Sequence, residues 1–206
     1  MRGIRSWAAW LTAGRPTGQV DLPAGFARRH SGGGPFSEAW FGKVDIAPGV
    51  AFWFRFTLLD GTDREAAVWA IRFDRGRIVT GKSVVPLDAL SEPHSSLVAE
   101  GMEVTRFAGR PQVFHAAAGH LDVRNAVGTA GPIRFDIRWE DSGRSYDLVP
   151  ALLTRTGIAR TTYSSSFIDV RMSGVVEGPG GRVDFDRATG MLGHISGSRS
   201  AQGWAP

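Results

Sequence analysis

From Phe36 onward, hydrophobic and polar residues alternate with a period of two, in short blocks that turn residues separate. This period predicts β-strands, because successive side chains of a strand point to opposite faces of a sheet. The clearest block covers residues 50–59, where one face carries Phe52, Phe54, Phe56 and Leu58 and the other carries Trp53, Arg55 and Thr57.

The next block, residues 65–73, alternates in the same way and carries Trp69 and Ile71 on one face and Val68 on the other. Asp60 and Gly61 stand between the two blocks and predict a tight hairpin turn of type I′, which requires positive φ angles. Both strands of this hairpin have largely apolar faces on both sides. Such strands occur in the middle of a sandwich, or in the wall of a barrel whose interior is itself apolar.

Further blocks continue the pattern along the chain. Residues 133–140 alternate like a strand with one face in water, and residues 146–153 predict a strand end that Pro150 confines to an edge. Residues 167–176 predict a strand with a bulge at Gly174, followed by a hairpin into residues 182–186. Residues 78–85 and 97–107 are weaker candidates. The total of seven to nine strands, without a convincing long helix, predicts an all-β antiparallel barrel or sandwich.

Residues 1–35 lack this alternation and predict a loosely ordered N-terminal segment, which leaves residues 36–206 as one domain. The first residues combine two arginines with the apolar stretch 7–11. That stretch is shorter than the apolar region of about 7–15 residues in a secretory signal, and Arg15 interrupts it. We therefore expect a frayed terminus or a short helix and a cytoplasmic protein.

Composition and charge exclude several classes of function. The chain has 206 residues, a net charge of +4 and 22 arginines against two lysines, with the cations interleaved among acids rather than gathered in a stripe. We therefore expect no nucleic-acid partner. No apolar run approaches the roughly 20 residues of a membrane-spanning helix. Without cysteine, and with His115 and His120 at a spacing of five, there is no metal-binding pattern. We expect no cofactor.

Arg55 is the first candidate for chemistry, because a cation on an apolar barrel wall is costly unless a carboxylate pairs with it. Glu38 and Trp40 fall in the probable preceding strand. One hypothesis pairs Arg55 with Glu38 or Glu65 inside the barrel or at its mouth. The alternative places Arg55 on the outer face, where its guanidinium reaches water.

The second candidate is the segment 190–197, in which three glycines surround His194. Glycines at this spacing let the backbone approach closely or adopt positive φ angles. The pattern predicts a tight loop that holds His194 available for hydrogen bonding or proton transfer. The alternative is a glycine-rich surface loop with an incidental histidine.

These segments resemble the lipocalin-like superfamily of carotenoid 1,2-hydratases (hydroxyneurosporene synthases), tocopherol-cyclase-like proteins and fungal Diels-Alderase-like cyclases. The likeness covers residues 36–204, and its motifs are Glu38-x-Trp40, Trp53-x-Arg55-x-Thr57 through Gly61, residues 64–70, and Gly190-Met191-x-Gly193-His194 with Gly197 and Trp204. The resemblance implies a lipocalin-type antiparallel barrel, usually one of two in tandem, that handles apolar isoprenoid or polyketide substrates.

The chain departs from these relatives at two places. Their histidine loop typically contains Gly-His-Asn-Trp-Gly, whereas Ile195 and Ser196 stand in the Asn and Trp places of this sequence. The sequence also stops near the point where a first barrel would lead into a second, which is where the resemblance places the catalytic acid of the hydratases. A second barrel domain outside this chain is therefore an expected partner.

Three functions follow from the sequence. The first is a non-enzymatic barrel that binds a small apolar, isoprenoid-like molecule. Its candidate ligand-binding residues are Trp53, Arg55, Trp69, Trp139 and Phe167. The second is a hydratase or cyclase that protonates a double bond of an isoprenoid-like substrate, with Glu38, Asp136 or His194 as candidate proton donors. The third is an inactive fragment of a two-barrel protein. The sequence makes no prediction of the oligomeric state.

Overall fold

The computed structural model describes Phe26 and residues 28–30, 34–90, 112–140 and 145–198. Within these ranges the chain forms eleven antiparallel strands, one turn of 3₁₀-helix (Leu87–Ala89) and one short helix, α1 (Ala151–Arg155). The strands are β1 (Phe36–Ala47), β2 (Val50–Asp60), β3 (Glu65–Asp74), β4 (Arg77–Pro86), β5 (Gln112–Ala116), β6 (Gly119–Asp122), β7 (Asn125–Ala130), β8 (Ile133–Trp139), β9 (Tyr146–Asp147), β10 (Thr161–Gly178) and β11 (Gly181–Gly197).

All the strands belong to one sheet, in the order β4-β3-β2-β1-β11-β10-β8-β7-β6-β5, and β9 pairs with β10. The hydrogen-bonded path does not close among the described strands, but β4 meets β7. The amide of Gly131 donates to Ser83 Oγ at 3.2 Å. A Cβ atom on Gly81 would lie 1.8 Å from the carbonyl oxygen of Ala130, so only glycine permits this approach. The sheet is therefore rolled and encloses one of its faces.

Phenylalanine rings fill the middle of the enclosed face. Phe135 of β8 lies 5.3 Å from Phe52 and 5.5 Å from Phe54 of β2, measured between ring centroids. Phe114 of β5 lies 5.0 Å from Phe56 in an edge-to-face arrangement, which aromatic pairs favour. The alternation of β2 and β8 thus produces a packed aromatic core at the centre of the rolled sheet.

The structure confirms the all-β, antiparallel, lipocalin-like prediction, and it decides between the two apolar faces of β2, which the sequence left open. The four apolar residues of β2 that share a face, Phe52, Phe54, Phe56 and Leu58, are fully buried, and the weaker candidate at 78–85 is β4. The strand count is higher than the seven to nine predicted. Residues 112–130 contribute three strands of four to six residues, which are too short to show a clear alternation. The candidate strand 97–107 lies outside the described residues.

Two local predictions are wrong. The strand predicted over 146–153 ends at Asp147. Pro150 comes directly before α1. Proline suits the start of a helix because the first N–H groups of a helix have no hydrogen-bond partner within it. The turn at Asp60 and Gly61 is not a two-residue turn, because Leu59 pairs with Glu65 and leaves five residues between them. None of the described helices is long and apolar enough to cross a membrane.

Candidate functional site

The candidate site lies on the enclosed face, where the first and last long strands pair. Trp40 of β1 is the register partner of His194 of β11, and Glu38 is the partner of Ser196. The side chains of Glu38 and His194 therefore point to the same face and meet: Glu38 Oε1 lies 2.8 Å from His194 Nε2. Only 2% of Glu38 and 1% of His194 is exposed. Two sequence candidates 156 residues apart thus form one buried pair.

The prediction of a glycine-rich loop around His194 is wrong, because residues 190–197 are the second half of β11. The glycines serve the close approach of neighbouring side chains rather than a turn. A Cβ atom on Gly193 would lie 2.5 Å from the ring of Phe41. His194 is therefore held by a central strand, and Glu38 supplies the polar contact that orients its imidazole.

A short segment covers the carboxylate of Glu38. The backbone N–H of Arg29 donates to Glu38 Oε1 at 2.7 Å, and that of His30 donates to Oε2 at 2.9 Å. His30 is itself anchored to the end of β2, with 2.8 Å between its Nε2 and Asp60 Oδ2. We name Phe26 and residues 28–30 the strap. The carboxylate of Glu38 can therefore accept three hydrogen bonds, two from backbone N–H groups of the strap and one from His194.

Aromatic rings surround the pair. Trp40 stacks on His194 with 5.0 Å between centroids and 13° between planes. The indole N–H of Trp40 donates to the carbonyl of Phe26 at 2.8 Å. The ring of Phe26 meets Phe167 edge-on at 5.5 Å, and Phe167 lies 6.3 Å from Trp139. The predicted ligand-binding residues Trp139 and Phe167 therefore stand in one continuous group of rings with the candidate pair.

Phe26 lies within residues 1–35, where the sequence predicts a loosely ordered segment. It is fully buried, so at least this residue packs against the domain. Residues 1–25, 27 and 31–33 lie outside the described part of the chain. Sequence reasoning did not anticipate the strap, because a single phenylalanine among glycines and arginines has no period to detect.

Three other predicted residues lie on the outer face of the sheet. Trp53 and Arg55 of β2 alternate with the buried phenylalanines, and Trp69 of β3 is the register partner of Arg55. The indole of Trp69 donates to Thr57 Oγ1 at 3.2 Å, and Lys82 Nζ lies 4.4 Å from its ring centroid.

Arg55 forms neither of the hypothesised ion pairs. Glu38 contacts His194, and Glu65 Oε1 lies 3.0 Å from Lys82 Nζ. Within the described ranges, no carboxylate lies within 4.0 Å of the Arg55 guanidinium. Its partial burial lowers the pKa of Arg55 from the usual value. The alternative of an outward arginine is the one that the structure shows.

Asp136 lies apart from the Glu38–His194 pair, on the outer face of β8. It lines an open groove of about 640 Å³ with Arg138 of the same strand and with residues of β10 and β11, among them Ser173, Arg182 and Asp184. Arg182 donates to Asp184 and thereby lowers the pKa of that carboxyl group. The groove is charged and open to solvent, unlike the dry surroundings of His194.

Sequence reasoning missed a second histidine cluster. His115 and His120 are register partners across the β5–β6 hairpin, and their Nδ1 atoms lie 3.0 Å apart. His120 Nε2 lies 3.9 Å from Asp122 Oδ2, and Asp122 is fully buried. Burial, followed by the charge of His120, lowers the pKa of His115. The sequence did contain a signal for this contact: a separation of five residues, as between His115 and His120, allows two side chains to pair across a short hairpin.

Neither of these two histidine clusters has its side chains arranged to bind a metal ion. Within the described ranges, no group of three or more His, Asp or Glu side chains is arranged to hold a metal ion. An imidazole beside a carboxylate, as in the Glu38–His194 pair, can form hydrogen bonds and transfer protons.

No family model and no curated protein matches the chain. Among solved structures, the chain is similar to CghA crystallised with Sch210972, at 13% identity over 80% of this chain and 46% of that one, with a TM-score of 0.48. It is similar to kievitone hydratase from Nectria haematococca at 9% identity over 80% of this chain and 48% of that one, with a TM-score of 0.42.

A second structure of CghA is similar at 12% identity over 81% of this chain and 47% of that one, with a TM-score of 0.49. At such identities the likeness concerns architecture and not chemistry. The chain spans about half the length of the solved structures that it matches.

Proposed function

We propose that this lipocalin-like chain binds a small apolar, isoprenoid-like molecule on its enclosed face, next to the Glu38–His194 pair. The observation that carries the proposal is this buried pair, stacked on Trp40 and surrounded by aromatic side chains. Burying a carboxylate and an imidazole costs several kcal/mol by general estimates, and an apolar pair would fill the same space at less cost. Polar pairs of this kind inside an apolar setting are typical of binding and catalytic sites.

Packing limits where the ligand can lie. The middle of the enclosed face is filled by Phe52, Phe54, Phe56, Phe114 and Phe135. The end with Trp40, Phe167 and Trp139 is covered by Phe26, which belongs to no strand. We therefore assign the ligand to this end, where movement of the strap makes room without breaking the sheet.

Binding is tested with N-phenyl-1-naphthylamine, a neutral apolar dye whose fluorescence rises in dry sites. We expect saturable binding to the whole chain. Phe167→Ala removes a ring beside the proposed site and is expected to weaken binding about tenfold, since a buried aromatic side chain contributes about 1.5–3 kcal/mol. Trp53→Ala on the outer face is the matched control and leaves binding unchanged. Absence of saturable binding, or equal losses in both variants, would contradict the proposal.

A second candidate is acid–base catalysis on an alkene, either addition of water or cyclisation. The specific observation is that Glu38 accepts hydrogen bonds from the two strap amides and from His194. Glu38 is therefore suited to hold and stabilise His194, and in this candidate function the buried His194 is the proton donor. Turnover of an alkene-bearing terpenoid that disappears in His194→Ala supports this candidate. Turnover that persists in that variant counts against it.

The third candidate is an inactive fragment of a two-barrel protein. The dye-binding and turnover measurements also distinguish it from the first two candidates. It predicts neither saturable dye binding nor turnover by the chain alone. Dye binding without turnover leaves the binding function as the one supported, and the activity of any longer protein is a separate proposal.

A further inference from the structure

The indole of Trp139 carries a buried hydrogen-bond donor without an acceptor. Trp139 is 4% exposed and ends β8 on the enclosed face. Among the described residues, no acceptor lies within hydrogen-bond distance of its Nε1 atom, which has almost no contact with solvent. An unpaired buried donor costs about 1–3 kcal/mol, and folded proteins contain few of them.

This lack of an acceptor is not general to the indoles of the protein. The Nε1 atom of Trp40 donates to the carbonyl of Phe26, and that of Trp69 donates to the hydroxyl of Thr57. Trp40 lies in the same group of rings as Trp139, so the local fold does supply acceptors to one indole and not to the other. The unpaired donor is therefore a specific feature of Trp139, next to Phe167.

We propose that Trp139 Nε1 donates a hydrogen bond to an oxygen atom of the ligand, and that the ligand is a neutral apolar molecule with a carbonyl or hydroxyl group. This inference rests on the proposed binding function and narrows its ligand class. An indole N–H only donates, so it selects an acceptor and leaves a hydrocarbon without any polar contact. A site built around such a donor discriminates against analogues that lack the oxygen.

The position of Phe26 shows how the ligand reaches Trp139. The ring of Phe26 contacts Phe167, which in turn contacts Trp139. A ligand that takes the place of the Phe26 ring lies against Phe167, and a chain longer than one ring is needed to bring its oxygen past Phe167 to Trp139. A neutral carbonyl or hydroxyl oxygen accepts a bond from an indole N–H and keeps the ligand within the apolar class of the proposed function.

The experiment compares two ligands that differ in one group. They are geranylacetone and the hydrocarbon in which a methylene replaces its carbonyl, each measured by displacement of N-phenyl-1-naphthylamine from the whole chain. The quantity of interest is the ratio of their two dissociation constants, because comparing ratios between variants cancels the different partition of the ligands into apolar media. We expect Trp139→Phe to reduce the preference for the ketone about fivefold, the range of one neutral hydrogen bond.

Trp69→Phe is the matched control, because it removes an indole N–H on the outer face and is expected to leave the ratio unchanged. Phe26→Ala is expected to tighten binding of both ligands, since it vacates the place that they occupy. A ratio that is equal in wild type and Trp139→Phe, or Phe26→Ala binding both ligands more weakly, overturns the inference while the binding function stands. Absence of saturable binding of either ligand and of the dye overturns the binding function and the inference with it.

Discussion

Among the described residues, two of the clusters in which histidine meets a buried carboxylate are built in opposite ways. Glu38 and His194 come from the two ends of the described chain and meet on the enclosed face, at 2.8 Å. His115, His120 and Asp122 come from one hairpin, within eight residues, and the imidazoles lie on the outer face. One cluster depends on the whole sheet and the other on local turns.

The difference shows in the partners of each carboxylate. Glu38 accepts the amides of Arg29 and His30, from a strap outside the sheet. Asp122 accepts the amides of Arg124 and Asn125, its own neighbours in the chain, at 2.6 and 2.8 Å. Asp122 therefore fixes a turn, as aspartates commonly do, whereas Glu38 fixes a long-range contact in an aromatic interior. The proposed binding function places its ligand beside the second arrangement only.

Removing the Glu38 carboxylate is expected to have the largest effect on stability. Glu38→Ala removes the carboxylate that accepts hydrogen bonds from two strap amides and contacts His194 Nε2. Breaking a buried pair in this way typically costs about 3–5 kcal/mol, so we expect a loss of this size in the free energy of unfolding measured with urea. Amide exchange should rise along β1, β11 and the strap together.

Glu38→Gln is the matched control, since the amide oxygen still accepts hydrogen bonds and the volume is kept. It should lose clearly less stability than Glu38→Ala. An alanine variant as stable as wild type would show that Glu38 is not the acceptor that joins the strap to the sheet.

Removing Asp122 is expected to have a smaller and more local effect. Asp122→Ala leaves the amides of Arg124 and Asn125 without their acceptor and should cost about 1–3 kcal/mol. Because the partners lie two and three residues away, faster amide exchange should be confined to β5, β6 and β7. Exchange that also rises in β1 and β11 would refute the contrast between a local and a long-range carboxylate. Asp122→Asn keeps an acceptor oxygen and should restore most of the protection.

Much of the fold follows from the sequence because alternation in a half-buried strand reports directly on its two faces. In β8 the polar face identifies Ile137 and Trp139 as buried, and they are. In β2 the period places Phe52, Phe54 and Phe56 on one face, but both faces are apolar and only the structure shows which one is buried. The period gives no information where strands are short, as in β5 to β7. It also misses the end of a strand when proline starts a helix, as Pro150 does before α1.

The sequence predicted individual residues of the candidate site, but it did not predict which of them contact each other. Glu38 and His194 are visible as candidates, but their contact depends on β1 pairing with β11, a register that no local pattern encodes. The glycines around His194 predict a loop because their spacing resembles a turn, whereas they make room for rings such as that of Phe41. Phe26 is missed because its role depends on the shape of the site that it covers.

The smallest predicted effect is a pH dependence of stability from His115. Burial and the charge of His120 lower the pKa of His115 below its usual value of about 6.5. The unfolded chain therefore binds a proton at His115 near pH 6.5, while the folded chain binds it only at lower pH. The contribution to stability is fully present above pH 6.5 and is lost as the pH falls towards the pKa of the folded state.

His115→Gln removes this titration and keeps a polar side chain that can contact His120. The measurement is the free energy of unfolding in urea between pH 7.5 and pH 5, for wild type and variant at the same ionic strength. We expect the wild type to lose more stability than the variant over this interval, because all other titrating groups are shared by the two proteins. Equal slopes would mean that His115 titrates alike in the folded and unfolded chains, and that the hairpin cluster is no more than a surface contact between two imidazoles.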